Sequence, residues 1–122
     1  MGKGAAKTIF ICEDDSGILE VIKIILEAEN YQIEAYENGR NLAEAVALKQ
    51  PDLLLLDLWM PEMNGPDFVK KLKDNPKTAD VPVVLVSAAT DLEAIAQSAG
   101  VPFLRKPFHI DDLLAVVKAK AR

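Results

Sequence analysis

Hydrophobic residues recur along the chain with two periods that alternate five times. Thr8–Glu13 is an apolar run that ends in acids and predicts a strand. Ile18, Val21, Ile22, Ile25 and Leu26 follow at the spacing of one helical face, with Asp15 or Ser16 placed to cap the helix they predict. Tyr31–Tyr36 alternates and predicts a second strand. Asn38 is the expected cap of a second helix, with Leu42, Ala45 and Val46 facing inward. Leu53-Leu54-Leu55-Leu56 then predicts a third strand buried on both faces, as in the middle of a parallel sheet. It ends in Asp57, and Pro61 prevents ordinary continuation just beyond.

The second half repeats the alternation. Asn64-Gly65-Pro66 is a turn feeding a third helix, with Phe68, Val69 and Leu72 as its buried stripe and Asp74-Asn75-Pro76 as its end. Val81–Ser87 predicts a fourth strand, with Pro82 at its start, where a missing N–H does least harm. Thr90 and Glu93 have capping-box spacing. They precede a short fourth helix built on Leu92, Ile95, Ala96 and Ala99 and stopped by Gly100. Val101–Arg105 predicts the fifth strand. The last helix is expected to bury Ile110, Leu113, Leu114 and Val117. Its Asp111 and Asp112 lie in the first turn and Lys118, Lys120 and Arg122 in the last, matching the helix dipole.

Five strand–helix units of this length predict an α/β fold: one doubly wound parallel sheet with right-handed crossovers. A chain of 122 residues makes one domain, expected over 7–122, after a disordered leader or cloning remnant at 1–6. Hydrophobic residues make up 50% and aromatic ones only 6%, which suits an aliphatic core. A net charge of −5 argues against a nucleic-acid or anionic-membrane surface. Lys70, Lys71 and Lys73 are a local basic patch of the kind that solvated helix faces carry. Cys12 is the single cysteine, so no intrachain disulfide forms and a reducing, cytoplasmic setting is expected. Its neighbours Ile9, Phe10 and Ile11 make it an inert core thiol. No apolar run approaches membrane-spanning length and no signal-peptide core is present. Gly2 does not begin a myristoylation pattern, because the sixth residue is Ala6. Neither glycine-rich phosphate-binding motif occurs, which weakens a nucleotide-binding reading.

The chemistry gathers at the carboxyl ends of the strands, the edge where open α/β sheets bind ligands. Strand 1 ends in Glu13-Asp14-Asp15, strand 3 in Asp57, strand 4 in Ser87 followed by Ala88 and Ala89, and strand 5 in Lys106-Pro107. Strand 2 delivers nothing chemical. Taken singly, the acids after strand 1 read equally well as helix caps, Ser87 as a small strand end and Lys106 as a solvated lysine. Their coincidence on one edge changes the reading. Carboxylates from neighbouring strands repel unless a cation lies between them. Oxygen-only ligands favour a hard divalent ion, Mg²⁺ first. A lysine opposite adds a point charge and a serine hydroxyl one hydrogen bond. Together they suit phosphoryl transfer, where catalysis is mostly positioning and charge neutralisation, with Asp57 as nucleophile.

These residues resemble those of the response-regulator receiver domain of two-component signalling. The likeness rests on Glu13-Asp14, Asp57 within Leu-Asp-Leu-Trp-Met-Pro, Gly65, Ser87 and Lys106-Pro107-Phe108, and runs from Lys7 to Arg122. It implies a flavodoxin-like sheet of order 2-1-3-4-5 flanked by five helices. It implies that Asp57 accepts a phosphoryl group from a histidine kinase or histidine phosphotransfer protein. Asp14 and Asp57 would bind Mg²⁺, Glu13 would hold a coordinating water, and Trp59 would lend its backbone carbonyl. Ser87 would hydrogen-bond the phosphoryl oxygen and Lys106 would pair with the group. The Lys106–Pro107 bond would be cis, and Phe103 would be the aromatic that turns inward as Ser87 moves. The segment from Ser87 to Lys106 is about three residues shorter than usual for the family, within the tolerance of connecting segments. The loss falls around helix 4, so the family's dimer on that face is in doubt. His109 stands where a better helix cap would be common.

Such a domain catalyses only its own phosphorylation and dephosphorylation, and its work is to switch an unidentified protein partner, as a monomer or a phosphorylation-dependent dimer. Two other readings stay open. One is a receiver-like interaction module that acts without phosphorylation. The other is an aspartate-nucleophile phosphatase of the haloacid-dehalogenase kind, which wants a second acid two residues after the nucleophile, where this chain has Trp59.

Overall fold

The computed structural model describes residues 6–60 and 63–122, with Trp59 described by its backbone alone. Residues 1–5 of the expected leader and Pro61, the expected strand stop, lie outside the described residues. Five strands and five helices alternate: β1 (Thr8–Cys12), α1 (Ser16–Ala28), β2 (Gln32–Tyr36), α2 (Leu42–Lys49), β3 (Leu53–Asp57), α3 (Gly65–Asp74), β4 (Val83–Ser87), α4 (Leu92–Ala99), β5 (Phe103–Arg105) and α5 (Ile110–Lys120). All pairs in the main sheet are parallel, and the order is β2-β1-β3-β4-β5. A two-residue antiparallel ladder, Trp59–Met60 against Met63–Asn64, follows β3 and was not legible in the sequence.

The leucine run is central because both its faces find helices. Leu54 and Leu56 pack with Phe10, Leu42, Val46, Phe68, Leu72, Leu85 and Leu92 on the side of α2, α3 and α4. Leu53 and Leu55 pack with Ile9, Ile11, Ile22, Leu26, Val84, Leu113 and Val117 on the side of α1 and α5. Every residue of β3 is buried, so each leucine contributes about 2 kcal/mol of burial free energy. This two-sided burial holds the carboxyl end of β3 rigidly beside its neighbours.

Four local expectations are corrected. Val21 is 54% exposed and Leu19 takes its place inside, with Ile22 and Leu26. The α1 sequence is apolar nearly all round, so the pattern allows a rotated face and docking onto the sheet decides it. Ile110 is likewise 56% exposed at the open start of α5, while Leu114 is half-buried. Asn38 does not cap α2: its side chain accepts from the Arg40 N–H at 2.8 Å, a local turn that competes with helix. The residue flanking α2 is Asn41, left-handed at φ 62°, with no side-chain cap bond. Thr90 does not cap α4 either, because the helix starts at Leu92 behind Asp91. Asp15 caps α1 through its side chain, and Gly100, left-handed at φ 71°, ends α4. His109 flanks α5 as an exposed residue with no capping bond.

Candidate functional site

The parallel order sets the ends of β1 and β3 side by side, with β4 and β5 next in line. Their registers are fixed: Cys12 pairs with Leu56, Asp57 with Val86, and Ser87 with Arg105. The ladder runs one residue past Asp57, where the Leu58 N–H donates to the Val86 carbonyl at 3.2 Å. The Gly65 N–H donates to the Leu58 carbonyl at 3.0 Å and folds the small ladder back over this end. Asp57 therefore stands on rigid backbone, 9% exposed.

Glu13 is 2% exposed behind it, while Asp14 faces solvent. Carboxylate oxygens of Glu13, Asp14 and Asp57 all lie within 4.8 Å of one another. Lys106 reaches in from the end of β5. Its Nζ lies 2.6 Å from Glu13 Oε1 and 3.5 Å from Asp57 Oδ2. The second Glu13 oxygen accepts from the Asp15 N–H at 3.2 Å. Burial raises the Glu13 carboxyl above its ordinary range; the Lys106 hydrogen bond pulls it back and Asp57 pushes it up. Burial depresses the Lys106 ammonium, but its Glu13 bond and the charges of Asp57 and Glu13 outweigh that, so its pKa is raised. Cys12, beneath the acids, is pushed up to about 12 by burial and by Asp57, Glu13 and Asp14, which keeps the thiol neutral and inert.

The expected set is thus brought together: Glu13, Asp14, Asp57 and Lys106 form one cluster, and the Lys106–Pro107 bond is cis. Ser87 sits at the next strand end, where its Oγ accepts from the Ala89 N–H at 3.0 Å. Phe103 is half-buried and packs against the core on the α4 side. The Trp59 backbone lies in the small ladder just past Asp57. Sequence reasoning missed the Glu13–Lys106 ion pair; its signal was an acid directly continuing the buried run Ile9–Cys12. It also missed Arg105, whose Nη1 reaches the Ala89 carbonyl at 2.6 Å.

Three acids against one lysine leave a surplus of negative charge. Asp57→Asn is expected to stabilise the metal-free protein by about 1 kcal/mol, raising its melting temperature by about 4 °C. Calorimetry in a chelator checks this, and a lower melting temperature would mean that the Lys106–Asp57 contact outweighs the repulsion.

The family model for the response regulator receiver domain matches residues 9–118. The chain belongs to that family. The receiver domain is 35% identical over 118 residues to the DNA-binding dual master transcriptional regulator RpaA of Synechocystis, covering 93% of this chain and 48% of that protein. It is 34% identical over 113 residues to the DNA-binding transcriptional regulator NtrC of Escherichia coli K12, covering 90% of this chain and 24% of that one. It thus spans half or less of the curated relatives it matches. Among solved structures, the signal receiver domain of a histidine kinase from Syntrophus aciditrophicus is 34% identical with a TM-score of 0.86, over 95% of this chain and 90% of that one. The sheet order and five flanking helices of the receiver fold are those the resemblance implied. The helix expected to be shortened, α4, spans 8 residues. Among the described residues no helix is long and apolar enough to cross a membrane.

Proposed function

We propose that this receiver domain takes a phosphoryl group from a phosphohistidine onto Asp57 and thereby switches its binding to a downstream protein. The observation that carries the reading is the convergence of Glu13, Asp14, Asp57 and Lys106 on one rigid sheet edge. An Asp57 carboxylate oxygen attacks phosphorus, the phosphorus–nitrogen bond to the donor imidazole breaks, and the leaving imidazole takes up a proton. The product is an acyl phosphate on Asp57. Lys106 follows the growing negative charge, since its ammonium already touches both Glu13 and Asp57. Ser87 supplies a hydroxyl to one phosphoryl oxygen, and Phe103 fills the space that Ser87 vacates.

The donor set suits Mg²⁺: oxygen ligands alone, one acid at the solvent edge and two within. Asp14, Asp57 and the Trp59 carbonyl would hold the ion. Glu13 would act through a water, because both its oxygens are already engaged by Lys106 and the Asp15 N–H. Bound there, the ion supplies charge neutralisation for the attacking carboxylate and the transferring group. Mg²⁺ is expected to raise the melting temperature of the wild type by relieving the repulsion, and much less that of Asp57→Asn. A flat melting temperature across a Mg²⁺ titration would remove the ion from the mechanism.

Beside the cluster, α1 and the segment after β5 enclose an open groove of about 750 Å³, lined by Ile18, Val21, Ile22, Pro107 and Phe108. It offers an apolar landing for the donor within reach of Asp57. Residues 7–122 would form the whole module and the cytoplasm its setting. Intact-protein mass spectrometry after incubation with acetyl phosphate and Mg²⁺ tests the assignment. One phosphoryl adduct is expected, absent from Asp57→Ala and absent without Mg²⁺. No adduct on the wild type would favour an interaction module that works unphosphorylated.

A further inference from the structure

The turn between β4 and α4 is held from outside by one side chain. Arg105 Nη1 donates to the Ala89 carbonyl at 2.6 Å. The same residue's N–H is bound to Ser87 Oγ at 3.0 Å. Ala89 is therefore gripped at both ends of its backbone, by a cation on β5 on one side and by the Ser87 hydroxyl on the other. The Ala89 carbonyl also accepts the Leu92 N–H at 3.2 Å, so the start of α4 hangs on the same atom. Little else secures that start, because Asp91 gives it no side-chain cap.

Register explains why Arg105 can do this. Ser87 pairs with Arg105 and Leu85 with Phe103 in the parallel β4–β5 ladder. Paired residues and those two apart share a face, so Ser87, Phe103 and Arg105 all lie on the α4 side of the sheet. Arg105 spans the gap between the two strand ends, directly above Phe103. Its amide neighbour reinforces the junction: the Lys106 N–H donates to the Ser87 carbonyl at 2.9 Å.

We propose that Arg105 is a positioning residue for the phosphoryl site, a strap that holds Ala89 and through it keeps the Ser87 hydroxyl within its own turn. The inference rests on the phosphoacceptor reading above only for its second consequence. Its first is mechanical: the strap restrains the β4–α4 turn whether or not a phosphoryl group is present. Its second is that the Ser87 hydroxyl has to leave the Ala89 N–H to meet a phosphoryl group on Asp57, and Arg105 opposes that departure. A guanidinium bound to a carbonyl at an exposed position contributes modestly, so the strap biases the turn without locking it.

The test uses Arg105→Ala, Ser87→Ala and the double variant in the full chain. Hydrogen exchange of the amides of residues 88–91 is followed first, with no phosphodonor. Arg105→Ala is expected to speed it by about two- to fivefold. Phosphorylation by acetyl phosphate with Mg²⁺ is then measured over a range of donor concentrations. The maximal rate of Arg105→Ala is expected to rise by about the same factor while the donor concentration giving half-maximal rate stays put. In the Ser87→Ala background, adding Arg105→Ala is expected to leave the rate unchanged, since the effect travels through that hydroxyl. Unchanged exchange overturns the strap. Faster exchange with an unaltered rate, or a rate effect that persists without Ser87, overturns its role in positioning. A wild type that takes up no phosphoryl group defeats the phosphoacceptor reading, and the exchange result still decides the strap.

Discussion

Lys106→Met is expected to destabilise the metal-free protein by about 3 kcal/mol at neutral pH and to slow phosphoryl uptake by about a hundredfold. The stability loss comes from Glu13. Its side chain is 3% exposed and its closest counter-charge is the Lys106 ammonium at 2.6 Å. Removing one partner of a buried pair leaves the other charged and desolvated, which costs far more than the pair contributes when intact. Methionine keeps the apolar stem that the lysine lays along the site, so the change isolates the charge.

The loss carries a pH signature whose sign follows from Glu13. Burial already holds its carboxyl above the ordinary range in the folded protein, and the Lys106 bond is what lowers it. Without Lys106 the folded carboxyl rises further while the unfolded one stays ordinary. Between those two values the folded variant keeps a proton that the unfolded chain has released. Its stability is therefore present below the ordinary carboxylate pKa and lost as pH rises through the folded value. The deficit relative to wild type is expected to be small near pH ~4 and to grow toward neutrality. Urea unfolding in a chelator across this range measures it. A deficit equal at both ends would mean that lost packing, not an orphaned carboxylate, causes the destabilisation.

Much of this site could be read from residues alone because its parts are local. A buried run of four leucines can only be a central strand, and whatever follows such a strand stands on the ligand edge. Repeating that inference for β1, β4 and β5 assembles Glu13, Asp14, Asp57, Ser87 and Lys106 without coordinates. What escaped was long-range or rotational. The Glu13–Lys106 pair joins residues 93 apart, and no periodicity reports it. The Arg105 strap depends on the β4–β5 register, which only the sheet supplies. Helix faces were misjudged where a helix is apolar on too many sides, as at Val21. Helix caps were misjudged where Asn38 satisfied a nearer turn instead.

Gly65→Ala is expected to cost about 2 kcal/mol, lowering the melting temperature by about 8 °C, and to slow phosphoryl uptake at Asp57. Gly65 has no positive φ, so alanine meets no backbone strain there and propensity alone would favour it in a helix. The obstacle is space. A Cβ at this position would collide with the Leu58 carbonyl oxygen and stand 3.1 Å from both the Leu58 carbonyl carbon and Cα. Those are backbone atoms of the residue after Asp57, and they cannot swing aside as a flexible side chain would. The same carbonyl accepts the Gly65 N–H, so any retreat lengthens the bond that folds the small ladder over the site. Gly100 offers the opposite case. It is left-handed at φ +71°, and a Cβ there would meet nothing nearer than Lys73 Nζ at 3.6 Å. Gly100→Ala therefore costs about 1 kcal/mol of backbone strain and leaves phosphorylation unchanged. Comparing the two by thermal melts and acetyl-phosphate labelling separates close packing from conformation. A Gly65→Ala protein as stable and as readily labelled as wild type would mean that the Leu58 peptide yields freely, and that Asp57 does not depend on it for its place.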